Sequence, residues 1–200
     1  AVRDQVAREC VNIAYGFFSP LEGFMGSADV DSVVRHMTLA SGYVWSIPMV
    51  LDVSEEELSS LGVKEGGSLL LTYQGQPLAV LRVEEIFSYD KKLMAEHVYG
   101  TTDEAHPGVL RTYSFQDRFV AGPITLVNPP VINPPFDRFW KTPRQLRESF
   151  AELGWAKIIA HQTRNVPHSG HEWLMKGAYL AAEAQGILVS AVIGEKKQGD

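Results

Sequence analysis

Hydrophobic and polar positions along this chain follow two different rhythms, and the change between them falls at one place. Val30, Val33, Val34 and Met37 recur at helical spacing and predict a short helix over Asp29 to Met37. Val44 to Val53 alternates loosely and predicts a strand. Ser54 with Glu57 three residues on is a capping-box pattern, and Gly62 suits the end of the brief helix it would start. Ser68 to Tyr73 and Pro77 to Phe87 flank Gln74-Gly75-Gln76, the pattern of a hairpin. Asp90 to Tyr99 reads as helix and Arg118 to Val127 as a further strand. The first 135 residues therefore predict a mainly β unit carrying small helices.

Asn128-Pro129-Pro130-Val131-Ile132-Asn133-Pro134-Pro135 interrupts this rhythm. Its four prolines exclude a regular helix or central strand, so it reads as a stiff linker. The expected domains are 1–135 and 136–200. Beyond the linker, Thr142-Pro143-Arg144-Gln145 combines an N-cap, a first-turn proline and a capping-box glutamine. The predicted helix continues through Leu146 and Phe150 and ends at Gly154. Lys157 to Gln162 reads as a strand, Pro167 to Gln185 as a helix, and Ile187 to Ile193 as a strand following Gly186. That is a βαβ unit, the beginning of a parallel nucleotide-binding sheet. The predicted fold class is α/β.

Composition narrows the function classes. Apolar content of 45% and charged content of 21% are those of a soluble protein. The apolar runs are too short for a membrane helix, and the charged stretch Ala1 to Ala14 does not read as a signal peptide. Cys10 is the single cysteine, which excludes an internal disulfide and a cysteine-rich zinc site and fits a cytoplasmic protein. The net charge of −6 is uneven: residues 1–135 hold 9 basic and 17 acidic residues, and residues 136–200 hold 9 and 7. An acidic first part argues against a nucleic-acid surface, whereas the second part suits a small anionic ligand.

The candidate chemistry lies in Gln162-Thr163-Arg164-Asn165-Val166-Pro167-His168-Ser169-Gly170-His171. A strand feeding a helix through a polar turn presents free N–H groups and a positive dipole end. Arg164 adds a planar fork for a tetrahedral oxyanion. Gln162 and Asn165 add neutral donors and Thr163 a hydroxyl. His168 and His171, at i and i+3, share one face of the first turn and can meet charge developing during phosphoryl or nucleotidyl transfer. His-Ser-Gly-His-Glu is not the His-Glu-x-x-His of zinc proteases, and Ser169 lacks a nucleophile elbow. Gly16 to Met25, rich in aromatics and glycine, reads as a packed loop. His97, Thr101, Thr102, Asp103, His106 and Pro107 read as a capped turn, His36 as a helix-face residue and His161 as a packed one.

At four places the chain resembles the ATP sulfurylase (sulfate adenylyltransferase) family: Gly16 to Met25, Val98-Tyr99-Gly100-Thr101-Thr102-Asp103, Gly122-Pro123-Ile124, and Gln162 to Asn165 followed by His168-x-x-His171. The resemblance covers essentially the whole chain in order. It implies a β-rich, PUA-like N-terminal domain followed by a Rossmann-like nucleotidyltransferase domain. It also implies a reaction of ATP with sulfate giving adenylyl sulfate and pyrophosphate, with Mg2+ accompanying the nucleotide, in sulfur metabolism. By the same resemblance Gln162 and Arg164 would hold sulfate, and Gln162, Thr163, Arg164 and Asn165 would line the ATP phosphates. Thr163, Arg164 and Asn165 match active-site residues, and His168 and His171 match transition-state stabilisers that also contact the nucleotide. Nucleic-acid and membrane partners are not expected; a homo-oligomer is.

Two departures stand out. Val166 separates Asn165 from Pro167, where the family has proline directly after the asparagine. The sequence stops at Gly194-Glu195-Lys196-Lys197-Gln198-Gly199-Asp200, before the Gly-Arg-Asp-His-type loop of the family, so a truncated form is expected. Two other readings remain open: another nucleotidyltransferase with the HxGH signature, and a non-catalytic module binding anions or RNA.

Overall fold

The computed structural model describes residues 1–129, 131 and 133–192. In chain order the elements are α1 (Asp4–Ala14), β1 (Gly23–Phe24), α2 (Ser27–His36), β2 (Asp52–Val53), α3 (Glu55–Leu61), β3 (Ser68–Tyr73), β4 (Gln76–Arg82), β5 (Glu85–Phe87), α4 (Lys91–Tyr99), α5 (Pro107–Tyr113) and β6 (Arg118–Leu126). After a 3-10 turn (Asp137–Phe139) come α6 (Pro143–Glu152), β7 (Ile158–Thr163), α7 (Ser169–Ala181) and β8 (Gly186–Ala191). The chain separates into two compact units, Ala1–Thr142 and Pro143–Asp200. Among the described residues no helix is long and apolar enough to cross a membrane.

In the first unit β6 is the organising strand, because β1, β2, β4 and β5 all pair with it antiparallel. Its side chains alternate between two cores, as a strand covered on both faces requires. Val120 joins Val6, Cys10, Ile13, Leu71, Leu81 and Val83; Phe119 and Ala121 join Met25, Val30, Val33, Val50, Phe87 and Met94. The first core is roofed by α1, which the sequence reading did not predict. Val6, Cys10 and Ile13 nevertheless stand at i, i+4 and i+7, and all three are buried.

Local signals explain most of the remaining elements. Ser54 and Glu57 close both halves of the expected capping box, with the Glu57 N–H donating to Ser54 Oγ at 3.1 Å. The hairpin turn is tighter than expected: β4 already starts at Gln76, leaving Gln74 and Gly75 as a two-residue turn, both at positive φ.

Three expectations need correction. Val44 to Leu51 is not a strand: Val44 makes only an isolated bridge to Thr38, and β2 is confined to Asp52–Val53. Pro48 has no N–H to donate, and the Trp45 indole bonds the Ile47 carbonyl at 2.8 Å instead of packing across a ladder. The predicted strand Pro77 to Phe87 is broken between Arg82 and Glu85. The break is set by Gly122 on β6, at φ +140°, whose missing Cβ would lie 1.9 Å from the Arg82 carbonyl oxygen. α7 is shorter than Pro167 to Gln185, starting at Ser169 because the turn before it is needed to cap it. The predicted end of the last strand, Ile193, lies outside the described residues, as do Gly194 to Asp200 and, within the linker, Pro130 and Ile132.

Two stability predictions follow from this unit. Gly122→Ala is expected to destabilise by at least about 2–4 kcal/mol, because both backbone angle and space exclude a side chain. Gly75→Ala, at φ +76° but in open space, should cost only about 1 kcal/mol; urea unfolding of both variants checks the order.

Glu9 is buried on α1, held by Gln5 Nε2 at 2.8 Å, and burial pushes its carboxyl above the usual range. A carboxyl raised in the folded state stabilises while it is protonated, below its unfolded pKa. That contribution is lost as pH rises through the folded value. Glu9→Gln should therefore raise the Tm at pH 7 and leave it nearly unchanged at pH 4, as thermal melts at the two pH values would read.

The second unit is built on β7 and β8, parallel and in register from Ile158↔Gly186 to Thr163↔Ala191. α7 connects them and packs against both strands. This is the expected βαβ crossover, fed by the Pro-initiated α6.

Candidate active site at the β7–α7 corner

Burial alternates along β7, with Ile159, His161 and Thr163 half-buried and Ala160 and Gln162 exposed. Gln162 thus leaves the strand on the side opposite His161 and Thr163. Thr163 ends the strand by turning the chain: its Oγ1 accepts from the Asn165 N–H at 3.1 Å and donates to the Asn165 carbonyl at 3.2 Å. Arg164 sits at the apex of that turn, exposed, with Asn165, Val166 and Pro167 exposed after it.

His168 is the N-cap of α7, in extended backbone conformation. Its Nδ1 accepts from the Gly170 N–H at 3.1 Å, while its own N–H donates to His171 Nδ1 at 3.2 Å. Two imidazoles thereby do the work usually left to Ser and Glu in a capping box. The consequence is chemical. A nitrogen that accepts a hydrogen bond carries no proton, so in the neutral rings the proton belongs on Nε2 of both. The helix start then offers two Nε2–H donors, with ring centroids 4.0 Å apart, where the helix dipole is positive. Burial, and then the neighbouring charges of His168 and His161, hold the His171 pKa below the usual imidazole value.

His161, expected to pack, does so against the site itself: its ring meets the His171 ring edge-on, centroids 5.5 Å apart. Its part in the cluster was overlooked because it depends on a strand-to-helix contact ten residues long. The strand alternation that places 161 with Thr163 was the available signal. Among the described residues no group of three His, Cys, Asp or Glu side chains is placed to hold a metal ion.

Most of the other candidates make local contacts within their own turns and helices. His106 caps α5, its Nδ1 accepting from the Gly108 N–H at 3.1 Å, and Asp103 accepts from the Ala105 N–H at 2.9 Å. His97 reaches back to the Leu93 carbonyl at 3.2 Å, and His36 is exposed at the end of α2. In the Gly16 to Met25 segment Phe24 and Met25 are buried, and Phe18 packs edge-on against Trp45. That segment borders a cleft of about 480 Å³, whose lining includes Glu22, Asp29, Glu84 and Glu85 beside Arg82. Four carboxylates make it a poor seat for a polyanion.

A β-rich antiparallel unit followed in the chain by a parallel βαβ corner with an imidazole-capped helix defines an α/β protein with an anion-binding type of corner. Residues 1–129 match the PUA-like domain model and residues 137–200 the ATP-sulfurylase model. The chain therefore belongs to the PUA-like domain family over its first unit, and its second unit is similar to ATP-sulfurylase. It is 44% identical over 195 residues to a sulfate adenylyltransferase from Hyperthermus butylicus, a match covering 98% of this chain and 49% of the relative. It is 41% identical to the enzyme of that name from Archaeoglobus fulgidus, covering 98% and 46%. It is also 42% identical to that from Cenarchaeum symbiosum, covering 100% and 52%. The chain thus spans about half the length of these relatives. Among solved structures, the hexameric APS kinase from Thiobacillus denitrificans shares the fold. Its TM-score is 0.70 at 24% identity, over 98% of this chain and 34% of that one.

Proposed function

We propose that this chain supplies the anion-binding corner of a sulfate adenylyltransferase, which joins ATP and sulfate into adenylyl sulfate and pyrophosphate. The observation that carries this reading is the pair of imidazoles locked at the start of α7, each with Nδ1 taken by a backbone N–H and Nε2 left as donor. In this reading Gln162 and Arg164 hold sulfate, and Gln162, Thr163, Arg164 and Asn165 line the ATP phosphates. Sulfate is a weak nucleophile, so its placement in line with the α-phosphorus supplies much of the acceleration. Direct in-line attack forms the sulfate O–P bond as the bond to pyrophosphate breaks, with no covalent enzyme intermediate. His168, His171 and the helix dipole meet the negative charge gathering on the phosphorus and the departing pyrophosphate.

Among the described residues the corner gathers no carboxylate cluster to fix a resident divalent ion, and Glu172 is paired to Lys176 at 2.5 Å. Mg2+ therefore belongs to this reading as part of the nucleotide substrate, held by its phosphates. The domain boundary is proposed at residue 135, the location as cytoplasmic and the assembly as a homo-oligomer, in keeping with the hexamer of the structural neighbour. Calorimetry with ATP, adenylyl sulfate and RNA tests the assignment, with molybdate-dependent pyrophosphate release from ATP as the kinetic arm. Binding of both nucleotides is expected; tight RNA binding with neither nucleotide bound would overturn it.

A further inference from the structure

We propose that His161 is a positioning residue for the histidine pair: from β7 it braces the His171 ring and keeps that ring neutral, so that the corner presents a hydrogen-bond donor instead of a fixed cation. This rests on the function proposed above. Three observations carry it. His161 and His171 meet edge-to-face at 5.5 Å, and His171 in turn lies 4.0 Å from His168, so three imidazoles stand in series from strand to helix. His161 Nε2 is buried and has no hydrogen-bond partner, an arrangement that costs stability and calls for a reason. His171 Nδ1 is committed to the His168 N–H, so protonating it would break the cap of α7.

The charges facing His171 act in one direction. From its own helix they are His168, and Glu172 with its charge matched by Lys176; from β7 the charge is that of His161; β8 carries no titratable side chain. Burial and two imidazole neighbours all oppose a proton on His171, and no unpaired carboxylate among these groups favours one. Neutrality has a functional value here. A fixed cation would bind ground-state phosphates and released pyrophosphate strongly. A neutral Nε2–H interacts most with the oxygens as their charge grows, which favours turnover over retention.

The test compares the chain with its His161→Phe variant, which keeps a ring in place and removes the ionisable nitrogens. Imidazole carbon–proton NMR titration of the ligand-free chain follows His171 directly. Its titration midpoint is expected to move to higher pH in the variant, and its Nδ1 signal to lose the hydrogen-bonded signature earlier on acidification. With inorganic pyrophosphate as probe, affinity at pH 6 should rise roughly two- to fivefold, the size of one partly exposed charge interaction. An unmoved His171 midpoint would overturn the proposal. If His161→Phe does not fold, His161→Asn makes the same comparison. Failure of pyrophosphate to bind either protein would count against the proposed function, while the ligand-free titration still decides the role of His161.

Discussion

Replacing Arg164 with alanine is expected to reduce sulfate-dependent pyrophosphate release roughly thirty- to a thousandfold. The figure is the loss of about 2–4 kcal/mol of charge-assisted, bidentate contact to an oxyanion. The residue is exposed at the apex of the Thr163–Asn165 turn, so truncation removes little packing. Thermal unfolding should accordingly shift by less than about 0.5 kcal/mol. Arg164→Lys restores the charge but not the planar fork, and should recover only part of the rate. Steady-state kinetics in sulfate and in ATP separately locate the loss. An effect confined to sulfate KM makes the residue a ground-state binder, whereas equal falls in kcat and kcat/KM place its contact in the transition state. Unchanged turnover would remove Arg164 from the site.

The parts of this fold that were readable from sequence are those decided within a few residues. The capping box of Ser54 and Glu57, the glycine of the Gln74–Gly75 turn and the strand–turn–helix around residue 165 each carry their own local chemistry. What escaped depends on partners far along the chain. α1 was hidden because charges interleave its apolar stripe, and Cys10 and Ile13 gain meaning only against Leu71 and Val120. The break at Val83 is imposed by Gly122, some forty residues later, and could not be seen from the apolar run itself. At the site the same division holds. The histidine spacing was legible, but their role as each other's caps, and the brace from His161, arise only when strand and helix pack.

His168 carries two duties that can be separated, and the separation gives the second large effect. As N-cap it satisfies the Gly170 N–H through Nδ1; as proposed stabiliser it donates through Nε2. Alanine removes both, asparagine only the second, because a short amide is among the best N-cap groups. Both variants should therefore lose about 10²- to 10³-fold in kcat, the range measured when one oxyanion donor is removed. Only His168→Ala should also lose stability, by about 0.5–2 kcal/mol, in urea or thermal unfolding. ATP affinity should change much less than kcat in the asparagine variant, since a neutral donor interacts weakly with phosphates before their charge redistributes. If asparagine instead restores turnover, His168 is a cap and nothing more, and the charge developing in the reaction must be met by His171 and the helix dipole alone.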